Sequence, residues 1–318
     1  MVGSFGRWPW ELRRRCVSTS NGTTPARAEG GAAANDVLAA QRRAASCSTV
    51  ERNRRCLHEC YYLEEIVGCG AFAVVQRAVC KETGTAWAVK KFNAGTSRDA
   101  ILKEIHILSQ LDHANVLRPR EYFDDDAGVA LITELLVGEH LLECVADRGS
   151  YAEDDCRQIA RNVLSALAHC HAKGVVHRDL KLENLVLSCN LDPCSIKIVD
   201  FGLSGQLLES EPFLTESCGT PACTAPEVLQ RNASYGSSPD VWSVGCLIFT
   251  LLSGAPPFQA RVLKSLVRDI RQGAFSMQDP AWELVSDSAK EFVKLLLQVE
   301  PKKRPTALAA LEHSWLQE

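Results

Sequence analysis

The sequence has no strong charge of either sign, no paired metal-binding cysteines and no apolar run long enough for a bilayer. Its 318 residues carry 35 Lys/Arg against 39 Asp/Glu, a net charge of −4 with pI near 6.1. General nucleic-acid binding is therefore not expected. The fourteen cysteines are scattered, with no paired C-x-x-C units at zinc spacing. Cys56-x-His58-x-Cys60 comes nearest and lacks a second half, so the cysteines read as small, mostly buried hydrophobes in a reducing compartment. The longest apolar run, Val241 to Leu252, is too short to span a membrane and reads as a buried helix. No apolar signal-peptide segment follows the N-terminus, and Val2 stands where myristoylation needs glycine. Nor is there a calcium loop with a distal glutamate. The stretch Asp124-Asp125-Asp126-Ala127-Gly128 has the wrong spacing and reads as a turn.

What is present is apolar substance and a marked internal asymmetry. With 46% apolar residues the chain can bury a sizeable core. Residues 1–60 carry ten Lys/Arg against five Asp/Glu, which leaves the remainder at net −9, a surface suited to basic protein substrates. Residues 1–58 show no sustained period, are rich in Gly, Ala, Ser, Thr and Arg, and are expected to form a disordered extension. Their arginines and few acids also fit an organellar transit peptide; otherwise a cytoplasmic location is expected. From Tyr61 the pattern changes to short apolar strands. Then come a helical stretch from Ser97 to Leu111, with Ile101, Leu102, Ile105 and Leu108 on one face, and a longer one from Tyr151 to Lys173, stopped at Gly174.

The chemistry concentrates at Val175 to Asn184, V-V-H-R-D-L-K-L-E-N, a dense polar loop between apolar runs. Such a loop makes little sense as core. As a reaction centre, Asp179 can orient a hydroxyl and accept its proton, Lys181 can neutralise charge on a moving phosphate, and Asn184 can hold a metal ion. Further on, I-K-I-V-D-F-G sets Asp200 at the end of an apolar strand. Asn184 and Asp200 together supply the few protein oxygens that magnesium prefers. Near the start of the ordered pattern, Gly68 and Gly70 leave backbone amides open to phosphate, and Lys90 follows an alternating strand in T-A-W-A-V-K-K-F.

The pair H-R-D-x-K-x-x-N and D-F-G resembles the signature of the eukaryotic protein kinases, and motifs in the family's order run from about Tyr61 to Trp315. The resemblance implies an α+β, bilobal protein kinase fold, with a small β-rich lobe and one main helix over 59–134 and a large helical lobe over 135–318. It implies Mg2+ and ATP, with transfer of the γ-phosphate to protein Ser or Thr hydroxyls. It assigns catalysis to Asp179, Lys181, Asn184, Lys90, Glu104 and Thr220, with Glu104 as the ion-pair partner of Lys90 and Thr220 bridging Asp179 and Lys181. It assigns the nucleotide to Val67, Gly68, Gly70, Val75, Ala88, Lys90, Glu134, Leu136, Leu185 and Asp200, with Thr133 as gatekeeper and Asn184 and Asp200 on the metal. His177 is implied to be structural, stacked with Leu108, Phe201 and Asp240, and Arg304 is implied to pair with Glu227.

The same resemblance points towards the calcium/calmodulin-dependent-kinase-like group, through D-F-G-L-S and L-L-S-G-A-P-P-F. Almost nothing follows the kinase body, so neither calcium nor calmodulin binding is expected within this chain. Four positions depart from the family pattern. Ala73 replaces the third loop glycine, and His140 replaces a ribose-contacting glutamate. Glu216 stands at the usual phosphothreonine, between Thr215 and Ser217, and Cys223 replaces an aromatic before A-P-E. They favour the alternative, a nucleotide-binding scaffold without transfer, against which the retained Lys90, Glu104, Asp179, Asn184 and Asp200 stand. A carboxylate at 216, facing Arg178, is expected to order the activation loop in part without phosphorylation. Glu183 and Glu143 match positions able to bind an arginine upstream of the target residue, and Thr250 stands where some relatives place a further acid.

Overall fold

The computed structural model describes residues 50–318 apart from 71, 127, 189–191 and 193–194. The expectation of disorder or targeting over the first 49 residues lies outside these. Glu51–Asn53, read from the sequence as extension, instead forms a strand, β1. It pairs in parallel with a later strand, opposite Glu121 to Phe123. The sequence hides it because E-R-N has no apolar alternation. Its fixing is polar: Asn53 Nδ2 donates to Glu121 Oε2 at 2.6 Å. A short helix, α1 (Leu57–Cys60), then buries Leu57 and Cys60.

The small lobe continues with β2 (Tyr61–Cys69), β3 (Ala73–Cys80), β4 (Ala86–Phe92), helix α2 (Arg98–Ser109), β5 (Pro119–Asp125) and β6 (Gly128–Thr133). Six strands lie in the order β1-β5-β6-β4-β3-β2. Alternation in β4 buries Trp87 and Val89 on one side with Phe123, Ile132 and Tyr61, while Ala86 and Ala88 join Leu135 and Val75 on the other. Strand β4 thereby delivers Lys90, opposite Leu131, to the inner edge of the sheet. Helix α2 buries Ile101, Ile105, Ile107 and Leu108, and Glu104 among them. Ser97 is its N-cap residue, yet its hydroxyl caps nothing.

The large lobe contains α3 (Leu141–Arg148), α4 (Glu153–Ala172), the short strands β7 (Val175–Val176), β8 (Leu185–Leu187), β9 (Ile196–Ile198) and β10 (Gly205–Gln206), then α5 (Ser238–Ser253), α6 (Leu263–Gln272), α7 (Asp287–Leu296), α8 (Ala307–Ala310) and α9 (Ser314–Gln317). Helix α4 carries an apolar stripe of Cys156, Ile159, Val163, Leu167 and Cys170 into the core. Gly174 ends it at φ +72°, where a side chain would also strike the Leu207 carbonyl oxygen at 2.6 Å. That turn aims the chain back through β7 into the polar loop. Helix α5 is buried from Pro239 to Leu252 on every face, which is what its continuous apolar sequence demands. The fold is the α+β, bilobal kinase architecture.

Candidate active site

Asp179 is held on all sides by the chain itself. The Thr220 amide and hydroxyl both donate to its Oδ1 at 2.8 Å. Lys181 Nζ donates to Oδ2 at 2.7 Å and to the Thr220 hydroxyl at 2.8 Å. Asn184 Nδ2 donates to the Asp179 backbone carbonyl at 2.8 Å, leaving the amide oxygen as its remaining ligand atom. Burial works against the charge on Lys181, but the bond and charge of Asp179 outweigh it and hold the ammonium pKa above its ordinary value.

Across the cleft, Lys90 Nζ bonds Glu104 Oε1 at 2.6 Å and Asp200 Oδ1 at 3.2 Å at once. Glu104 is 5% exposed, which excludes a solvated helix glutamate. Burial pushes its carboxyl pKa up, against the pull of Lys90. Asp200 goes the other way: the desolvation of its half-exposed carboxyl is outweighed by Lys90, and its pKa is lowered. Burial lowers the Lys90 pKa, but Glu104 and Asp200 outweigh it, and the ammonium form is reinforced. A cation between two carboxylates is thus fixed on β4, where it can meet an anionic ligand.

The backbone at the site is unusual. Arg178 and Asp200 are the non-glycine residues with positive φ among those described, at +69° and +61°. Such geometry persists only where surroundings impose it. At Arg178 the agent is Asp240, from the first turn of α5. Its carboxylate accepts the amides of His177 and Arg178, each at 2.9 Å, and His171 Nε2 at 2.8 Å. His177 accepts the Asp179 amide on Nδ1 at 3.3 Å and meets the Val199 carbonyl through Nε2 at 3.2 Å, with its ring 4.9 Å from that of Phe201. It braces the loop and leaves no ring nitrogen for chemistry.

Arg178 directs its side chain into the segment between Asp200 and Glu227. It donates to the Leu203 carbonyl at 2.6 Å and to Glu216 Oε2 at 3.0 Å. The Tyr235 hydroxyl donates to the Glu216 carbonyl, and backbone bonds of 2.9 and 3.0 Å join Leu214 and Tyr235. Cys223 lies in the short turn after Thr220, its thiol pushed up to about 12 by burial.

The remaining candidates form the roof and back of the cleft. Val75 packs with Ala86, Ala88 and Leu135, and Leu185 is fully buried in β8 opposite Ile198. Leu136 is half-buried in the connector, Val67 is exposed, and Thr133 donates to the Glu134 carbonyl at 3.2 Å. His140 Nδ1 sits 2.7 Å from the Glu183 carbonyl oxygen. A Cβ on Gly68 or Gly70 would meet nothing nearer than 3.7 or 3.6 Å, so protein packing does not require these glycines. The space they keep suits an anion held on backbone amides. Sequence reasoning missed a buried ion pair between Glu134 Oε1 and Lys197 Nζ at 2.6 Å. Its signal was available, since a lysine inside the apolar strand I-K-I-V demands a partner.

A family model described as the protein kinase domain matches residues 61–316. The chain belongs to the protein kinase family. Mouse serine/threonine-protein kinase 33 is 38% identical over 272 residues, which cover 82% of this chain and 55% of that one. Calcium/calmodulin-dependent protein kinase type 1 of Macrobrachium nipponense is 38% identical over 260 residues, 80% of this chain and 74% of that one. The mouse type IV enzyme is 36% identical over 267 residues, 83% and 56%. The chain therefore spans little more than half the length of two of these relatives. Among the described residues, no helix is long and apolar enough to cross a membrane.

Proposed function

We propose that the chain is an ATP-dependent serine/threonine protein kinase, with the lobes meeting at Glu134 and Leu135. The observation that carries this reading is the simultaneous bonding of Lys90 to Glu104 and Asp200, facing an Asp179 already oriented by Lys181, Thr220 and Asn184. Lys90 binds the nucleotide phosphates. Asp179 orients the substrate hydroxyl and takes its proton, while Lys181 offsets charge developing on the transferred group. Among the described residues no three His, Cys, Asp or Glu side chains gather into a metal cage. The pair Asp200 and Asn184 fits magnesium, which prefers few protein oxygens together with phosphate. Bound there, Mg2+ would neutralise phosphate charge.

Glu143, in the first turn of α3, and Glu183, beside the loop lysine, supply carboxylates for an arginine upstream of the target Ser or Thr. The retained charges favour catalysis over the scaffold alternative. The test is transfer from Mg-ATP to an Arg-containing Ser/Thr peptide, with Asp179→Asn lowering the rate about a hundredfold or more. Transfer undiminished in that variant, or tight Mg-ATP binding without transfer in the parent chain, overturns the reading.

A further inference from the structure

Helix α2 carries Glu104 but has no cap bond from Ser97, so something else fixes its first turn. The described contact is an ion pair. Arg98 Nη2 donates to Asp124 Oδ2 at 2.6 Å. Asp124 lies last but one in β5 with its side chain only 6% exposed, and among the described residues its Oδ1 is buried without a hydrogen-bond partner. A buried carboxylate in that position depends on nearby cations. A second cation comes from β1: Arg52 Nη2 donates to the Asp124 backbone carbonyl and lies 3.9 Å from Oδ2. Two residues before Arg52, Val50 packs against the apolar cluster that contains Ile101, Ile105 and Leu131.

We propose that Asp124 is a positioning residue for the Lys90–Glu104 pair, reached by α2 through Arg98 and by the N-terminal strand through Arg52. The inference rests on the kinase reading of that pair. Glu104 lies six residues beyond Arg98, about 9 Å along the helix. A tether at the helix start therefore limits how far its carboxylate can swing from Lys90. Strand β1 makes the tether conditional. Any event that peels residues 50–53 from β5 removes one of the two cations at Asp124 and the Val50 contact with the cluster under α2. The segment before the kinase body thus acts on the catalytic ion pair without touching the nucleotide.

The test compares Arg52→Ala, Arg98→Ala and Arg98→Lys with Arg55→Ala, whose bond to Glu82 at 2.7 Å involves neither β5 nor α2. Kinetics and binding of Mg-ADP are measured at a temperature where every variant is folded. Arg52→Ala and Arg98→Ala are expected to lower kcat/KM for ATP and Mg-ADP affinity by roughly two- to thirtyfold, the usual size of coupling through a network. Arg98→Lys is expected to restore most of the loss, and Arg55→Ala to match the parent. A lowered melting temperature with unchanged kinetics and Mg-ADP affinity overturns the proposal, leaving Asp124 a structural residue. Parent chain that binds Mg-ADP but transfers no phosphate, with affinity still lost in Arg98→Ala, overturns the kinase reading while supporting the tether.

Discussion

Glu216 puts a carboxylate where the family's loop phosphate would sit, and its partner is Arg178, whose side chain is 6% exposed. The glutamate itself is 73% exposed, so the pair is weakened by water and salt. Glu216→Ala should therefore reduce peptide phosphorylation only modestly, by about two- to fivefold. The reduction should fade at high salt, where the parent loses the same contact; an unaltered rate at low salt would remove the role. This position was legible because the resemblance fixes Glu216 by counting back from C-G-T-P. So were Lys90, Glu104, Asp179 and Thr220, residue types that the structure brings within bonding distance in two clusters. What could not be read was Arg98 with Asp124: both are ordinary surface types in sequence, and their pairing depends on how β5 meets the start of α2. The Lys197 partner was hidden for the same reason, although its apolar flanks announced that one must exist.

At the level of elements, the loop 177–184 borrows its shape from helix α5. Asp240 is fully buried and accepts two loop amides and His171. Burial opposes its charge, but His171 and the backbone donors outweigh that and hold its pKa below the carboxylate range. With the folded value lower than the unfolded one, the carboxylate stabilises the protein above about pH 4 and stops doing so as pH falls through the folded value. Asp240→Asn should cost about 3 kcal/mol near neutral pH. Urea unfolding from pH 7 to pH 3 should show the difference from the parent shrinking below about pH 4. A constant gap across that range would show that the charge is not the agent. Helices α2 and α4 were legible from their apolar spacing, within the end-effects that caps impose. Strand β1 was not, because three polar residues paired in parallel to β5 give no periodic signal.

For the molecule as a whole, the large lobe is locked by a buried ion pair. Arg304 Nη1 and Nη2 meet the two carboxylate oxygens of Glu227 at 2.7 and 2.8 Å, and its guanidinium lies 4.9 Å from the Trp242 ring centre. This joins the end of the activation segment to α5 and the chain's last turns. Because a lysine cannot reproduce the two-pronged contact or the stacking, Arg304→Lys should behave nearly as badly as Arg304→Ala. Both should lower stability by about 3–5 kcal/mol, read as a fall in melting temperature. A lysine variant with parental stability would show that charge alone suffices. The lobes are joined differently. Glu134, where the small lobe ends, bonds Lys197 of β9, while Asn115 and Leu117 share backbone bonds of 2.8 and 2.9 Å with Ile198. These ties all lie along the rear of the cleft, like pins along one edge of a door. Rotation of one lobe over the other about that edge would stretch the Lys90–Asp200 bond across the cleft, while the front, where the glycine loop lies, swept the larger arc. Nucleotide would enter and leave by that opening while the strand leading to Asp200 stays registered to the connector.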